Sequence, residues 1–236
     1  TLGMTAGRAA RLAAEHAPAG IDWVVVSLAP NGSEVARVAV LRGEVEKAAI
    51  GLSSPEEIAI TADLRPALPL PPPDPGEAVP GAFPRLSWTL EPRVILSLMD
   101  PDRPLQGEVL AVAGGRVALG SGFTLGGEVG LDLFGNLRGQ AVPPDTRLPN
   151  VRTGIGQYLE AARTPLISLT AERIWAVERD LFARVTAGYL EMMYGGVQGE
   201  VLWRPFDRSF AVGADLAWVK QRDFDQGFGF RNYETW

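Results

Sequence analysis

From Leu86 onward the chain alternates between apolar and non-apolar residues with a period of two, as strands with two unlike faces do. Leu86, Trp88, Leu90, Val94, Leu96 and Leu98 alternate with Ser87, Thr89, Glu91 and Arg93. After a turn over 101–104, residues 105–112 are predicted as a second strand ending at Gly114-Gly115. Val117, Leu119, Phe123, Leu125, Val129, Leu131 and Leu133 then share one parity, against Gly120, Gly122, Thr124, Glu128 and Asp132. Residues 135–153 read as irregular and 155–162 as one or two helical turns. Alternation resumes with Ile167, Leu169, Ala171, Trp175 and Val177, then with Leu181, Ala183, Val185, Ala187 and Tyr189. Val197, Val201 and Trp203 follow, and last come Phe210, Val212, Ala214, Leu216 and Trp218. The links are short, which predicts an antiparallel meander.

The first part of the chain has another rhythm. Residues 6–17 are Ala-rich and place Ala9, Leu12, Ala13 and His16 on one helical face, closed by Pro18 and Gly20. Residues 21–28 and 34–41 read as two strands around a Pro30-Asn31-Gly32 turn, 44–50 as a short helix and 56–62 as a third strand. That is a small α/β unit over 1–62. Eight prolines then fall within 63–84. Each removes a backbone donor, so this stretch is expected to be an extended spacer. The third segment, 85–236, is the meander.

Alternation alone fits a soluble sandwich, apolar side inward, or a membrane barrel, apolar side toward lipid. The strands run to roughly 10–15 residues, above the usual soluble length of about 5–6. Their other face is rich in Gly, Ser and Thr, and Trp175, Tyr189, Trp203, Phe210 and Trp218 sit near strand ends, where interfacial girdles lie. These details favour the barrel. With 22 Lys and Arg against 28 Asp and Glu, the net charge of −6 argues against a nucleic-acid partner. No Cys is present, which excludes disulfides and thiolate chemistry, and no apolar run reaches the length of a membrane helix. The chain opens at Thr1 without Met and stops at Trp236 inside a strand pattern, so it is expected to be a piece of a longer protein, truncated at its C-terminus.

Candidate chemistry is sparse. The single His, His16, lies in the Ala-rich helix and gives a catalytic triad or metal site little support. Glu128 and Asp132 on one strand would be about 13 Å apart at ~3.3 Å per residue. A glycosidase carboxylate pair needs about 5–9.5 Å. Gly114-Gly115 and Gly126-Gly127 read as bends or bulges. The expectation is therefore no enzyme, no metal and no cofactor. The polar parity supplies lumen candidates, Glu128, Asp132, Ser168, Thr170, Glu172, Arg184, Thr186, Gln198, Glu200 and Asp215, of which Glu128, Asp132, Glu172, Arg184, Glu200 and Asp215 are the charged candidates for a polysaccharide-facing surface. Lys220, Arg222 and Asp223 join them from the densest charge cluster, whose plainer reading is a solvated rim.

The last third also carries a resemblance. The stretch Ala187-Gly188-Tyr189-Leu190-Glu191-Met192-Met193-Tyr194-Gly195-Gly196 is its most specific element. Gly199 through Pro205, Ala211 through Asp215, Trp218 through Phe224 and the upstream Leu148-Pro149-Asn150-Val151-Arg152-Thr153 extend it. Over roughly 147–236 the chain resembles the YjbH-type exopolysaccharide biosynthesis proteins of Gram-negative bacteria. The resemblance implies an outer-membrane β-barrel, often a lipoprotein, belonging to capsule or exopolysaccharide operons. It implies a role in polysaccharide export or assembly, with the N-terminal domain in the periplasm. The implied partners are outer-membrane lipid, polysaccharide and other secretion proteins. Family members are longer, so barrel closure within this chain stays open. A soluble periplasmic carbohydrate-binding β-domain is the alternative, and a polysaccharide lyase stands third.

Overall fold

A computed structural model describes residues 2–18, 20–66, 82–98, 104–138, 151–152, 154–205 and 208–236. Most of the expected proline spacer, the turn at 101–103 and the Leu148-Pro149-Asn150 motif lie outside the described residues. The chain divides into two compact units, one made of 1–78, 174–183 and 201–213, the other of 79–173, 184–200 and 214–236.

Helix α1 (Leu2–His16) leads into β1 (Trp23–Leu28), which pairs antiparallel with β2 (Ala36–Leu41). Helix α2 (Arg42–Ala49) follows, then α3 (Pro55–Thr61) and β3 (Asp63–Pro66), which pairs with β2 at the sheet edge. The helix α1 buries Ala6, Ala10 and Ala14, a stripe at i, i+4 spacing, and leaves the expected Leu12 exposed. Methyl groups let the helix come close to Val24, Val40 and Val45, which form the core with Ala10 and Ala14. The strand expected over 56–62 is instead helix α3 through Thr61, with Ala62 as its extended C-cap. Ser54 Oγ accepts from Glu57 N at 3.2 Å, Glu57 Oε2 accepts from Ser54 N at 3.0 Å, and Pro55 opens the first turn. That capping box satisfies two orphan backbone donors and outweighs the β-branched side chains that suggested a strand.

The large sheet is mainly what the alternation predicts. Its strands are β4 (Arg85–Leu98), β5 (Leu105–Gly120), β6 (Phe123–Gly135), β7 (Leu166–Glu178), β8 (Leu181–Tyr189), β9 (Tyr194–Trp203), β10 (Val212–Arg222) and β11 (Phe230–Thr235). They follow one another in sequence order as an eight-stranded antiparallel meander, and the sheet is not closed. The short helix α4 (Ile155–Ala161) stands between β6 and β7 in the chain.

Two expectations about this sheet are corrected by its register. Strand β5 does not end at Gly114-Gly115. It runs on to a two-residue turn at Ser121 and Gly122, both at positive φ, the geometry whose twist matches a hairpin. Nor are the glycine pairs bulges. Gly114 opposes Glu128, Gly115 opposes Gly127 and Arg116 opposes Gly126 in an unbroken ladder.

The apolar parity is the outward one. Leu86 and Trp88 are 75% and 76% exposed, and Leu90, Val94, Leu96, Leu98, Leu105, Leu125, Leu131 and Leu169 continue the exposed wall. Two residues expected on it turn inward. A register shift after Glu128 lets Ile167 join the core. Gly188, at φ 129°, reverses the strand parity and buries Tyr189. A Cβ at Gly188 would stand 2.2 Å from the Leu169 carbonyl oxygen, so only glycine fits there.

Candidate functional site

The inward face of the large sheet has two contrasting ends. Along β5 the side chains of Gln106, Glu108, Leu110 and Val112 are buried, whereas Arg116 is exposed. At the buried end Leu110 and Val112 pack with Leu137, with Tyr158 and Leu159 of α4, and with Ile167, Met192, Met193 and Tyr194. The helix brings Tyr158 against Phe224, edge to face at 5.0 Å, and the Tyr158 hydroxyl donates to the Arg222 carbonyl at 2.6 Å. Burial pushes the Tyr158 hydroxyl up to about 12 from its ordinary value near 10.0.

Arg222 lies at the centre of this end. Its guanidinium donates from Nη1 to the carbonyls of Leu166 at 3.0 Å and Met192 at 3.1 Å, and from Nη2 to that of Gln226 at 3.1 Å. It also stacks 4.1 Å above the Tyr189 ring. Gln226 extends the lock by donating to Tyr158 O at 2.6 Å and accepting from Leu166 N at 2.8 Å. Arg222 is fully buried, so neither the solvated-rim reading nor a polysaccharide-facing role fits it. Its cation is held by carbonyl dipoles and an aromatic face. Lys220 and Asp223 flank it half-buried, with Lys220 opposite Glu234 in the ladder and Asp223 N donating to Gly229 O at 3.1 Å.

Beside this core sits a second charged group. Arg138 pairs with Asp132 at 2.5 Å and lies 3.7 Å from Glu108, whose other oxygen accepts from Leu137 N at 3.1 Å. Asp132 thus holds an interior arginine and is nearly buried. Farther across the sheet Arg184 on β8 bridges Glu172 on β7, at 3.8 Å, and Glu200 on β9. Three of the expected residues therefore meet in one ion cluster, whereas Asp215 stands apart and exposed on β10.

The other end of the inward face is a depression of about 360 Å³ over strands β4 to β7. Two adjacent ladder rows build it. Ser87, Arg116, Gly126 and Thr170 oppose one another in the first, and Thr89, Gly114, Glu128 and Ser168 in the second. Glycine occupies diagonal positions in the two rows and makes the floor. At Gly114 a Cβ would come within 2.6 Å of Thr89 Oγ1 and displace that hydroxyl, whereas at Gly126 it would meet Thr170 Oγ1 at an ordinary 3.6 Å. Glu128 accepts from Arg93 Nη1 at 2.8 Å, and Arg93 donates also to Glu91 at 3.0 Å.

Of the polar residues singled out in the sequence, Glu128, Ser168 and Thr170 lie in this groove. Arg93, Arg116, Ser87 and Thr89 were missed as site residues. Their polar parity was legible, but the pairing of distant strands that aligns them with two glycines was not. Arginine, carboxylate and hydroxyl groups around a glycine floor suit hydrogen bonding to a polyhydroxylated ligand.

A protein of Escherichia coli (strain K12) named "Uncharacterized lipoprotein YjbH" is 39% identical over 82 residues, 35% of this chain and 12% of that protein. The matched stretch thus spans about an eighth of that relative's length. No solved structure matches. A family model described as "Exopolysaccharide biosynthesis protein YbjH" matches residues 3–236, well beyond the last third where the motifs are densest. The chain belongs to the YjbH family of exopolysaccharide biosynthesis proteins.

Proposed function

We propose that the large sheet is part of an outer-membrane β-barrel that supports secretion or assembly of an exopolysaccharide without covalent chemistry. The single observation that carries this reading is the exposed apolar wall set against an inward face of charge, hydroxyl and glycine. A soluble sheet would bury that wall. Strands β4 to β7 run 14, 16, 13 and 13 residues, and a tilted membrane strand needs about 9–11. Among the described residues no helix is long and apolar enough to cross a membrane, so a crossing here would be made by strands. The relative's name, that of a lipoprotein, supports membrane association, and the family description supports the polysaccharide. In this reading lipid covers the wall, the sugar chain meets the inward face, the α/β unit stands in the periplasm, and other secretion proteins complete the assembly.

The test is fractionation of the full-length protein followed by charge scanning. The protein is expected in the outer-membrane fraction, released only by detergent. Leu131→Arg on the wall should cost about 2–4 kcal/mol near the bilayer midplane, and Thr170→Arg on the inward face should be tolerated. Recovery in the soluble periplasm without detergent, or equal tolerance at both positions, overturns the reading in favour of a soluble carbohydrate-binding domain.

A further inference from the structure

The depression on β4 to β7 has an uneven charge distribution. Its two carboxylates, Glu91 and Glu128, are both held by Arg93, at 3.0 Å and 2.8 Å. Arg116, exposed on the same face, has no ion-pair partner among the described residues. Its register places it between the hydroxyls of Ser87 and Thr170 in one row, with Gly126 beside it. Gly114 and Gly126 keep the floor low enough for a flat ring to lie between Arg116 and Glu128, which are diagonal neighbours across the β5–β6 ladder. Diagonal positions are about 7–8 Å apart, which suits groups at opposite edges of one sugar ring. The volume of about 360 Å³ lies within the range of about 300–1,000 Å³ usual for ligand pockets.

The geometry points to a subsite for an acidic sugar unit, with Arg116 taking the sugar carboxylate. Ser87, Thr89, Thr170 and Ser168 bond its ring hydroxyls, and the Arg93-bound Glu128 accepts from a hydroxyl on the far side. The inference rests on the polysaccharide role proposed above and names the class of sugar: one that carries a carboxylate, as a uronate or as a pyruvate ketal. A guanidinium matches a carboxylate in shape and binds it with two parallel hydrogen bonds, which a neutral hexose cannot reciprocate. Because the Glu91–Arg93–Glu128 group already carries a net negative charge, the anion is directed to Arg116.

The experiment measures binding to the full-length protein in detergent micelles with three oligosaccharides of equal length. These are a β-1,4-linked oligoglucuronate, the neutral cello-oligosaccharide of the same linkage, and that neutral chain carrying a pyruvate ketal. At least one acidic probe is expected to bind about ten-fold or more tightly than the neutral chain, with the preference shrinking as salt rises. The better acidic probe tells a uronate from a ketal. Arg116→Gln should bring acidic binding down to the neutral level, Arg116→Lys should retain part of the preference, and Gly126→Leu should fill the floor and weaken both. Unchanged thermal unfolding of the Arg116 variants shows that the effect is local. The inference is overturned if neutral and acidic probes bind equally, if none binds, if Arg116→Gln leaves acidic binding within two-fold, or if inorganic phosphate competes as well as the oligosaccharide. Arg116-dependent binding by a soluble periplasmic protein would overturn the membrane reading alone. A membrane-inserted protein whose binding ignores Arg116 would overturn this subsite alone.

Discussion

Arg222 and Arg116 lie toward the same inward face of one sheet, and their surroundings differ in every respect that matters. Arg222 is sealed from solvent, its two terminal nitrogens bonded to three backbone carbonyls and its plane stacked on Tyr189. Arg116 stands in open solvent above glycine, with its donors free for a ligand. What separates them is the company of neighbouring segments. Helix α4 and the turns after β8 and β10 pack at the first end, where the carbonyls of Leu166, Met192 and Gln226 accept from the buried guanidinium. Arg116 is exposed and has no ion-pair partner among the described residues, so its cation stays available. One arginine is spent on the fold and the other is left unpaired.

The largest effect is expected where the contrast is sharpest. Arg222→Ala strands three carbonyls and opens a cavity, and should cost about 3–5 kcal/mol in urea unfolding of the full chain in lipid vesicles. A loss under about 1 kcal/mol would show that the lock is dispensable. Next comes Gly188→Ala, whose Cβ meets a backbone oxygen at a positive φ. It should cost about 2–3 kcal/mol, while Gly126→Ala in the groove should be nearly neutral. Similar losses at both glycines would erase the difference between the two ends.

Tyr158→Phe removes one buried hydroxyl bond and should cost about 1–2 kcal/mol at neutral pH. It also has a pH signature. A phenol whose ionisation rises from 10.0 to about 12 on folding contributes stability that is complete below pH 10 and is lost as pH climbs through 12. The parent protein should therefore weaken over that alkaline window, and Tyr158→Phe should weaken less. The smallest effect belongs to Arg116→Gln, which should change unfolding by less than about 0.5 kcal/mol. A larger change would place Arg116 among the structural arginines and remove the comparison.

Legibility from sequence followed the same division. The strands and their outward wall were readable because a period of two needs only local sequence. The capping box at Ser54-Pro55-Glu56-Glu57 was equally local, yet the β-branched residues beside it suggested a strand. Lys220-Gln221-Arg222-Asp223 reads as a solvated cluster in any local window. Its arginine is buried because Leu166, Met192 and Gln226, as many as 56 residues away, converge on it. Glycine at 114 and 126 looked like interruption. Only the strand pairing turned it into a floor.

By itself, then, the sequence determined a mainly β chain, a meander with one apolar face, a small α/β unit before it and the family to which it belongs. Those properties follow from residue periodicity and from motifs read along the chain. The tertiary structure decided which charges are locked and which are free, where Ile167 and Tyr189 turn inward, and that the two glycine pairs meet beneath Arg116. Such properties depend on register shifts of one residue and on carbonyls brought together from remote turns, and one-residue shifts leave the periodic pattern of the sequence unchanged.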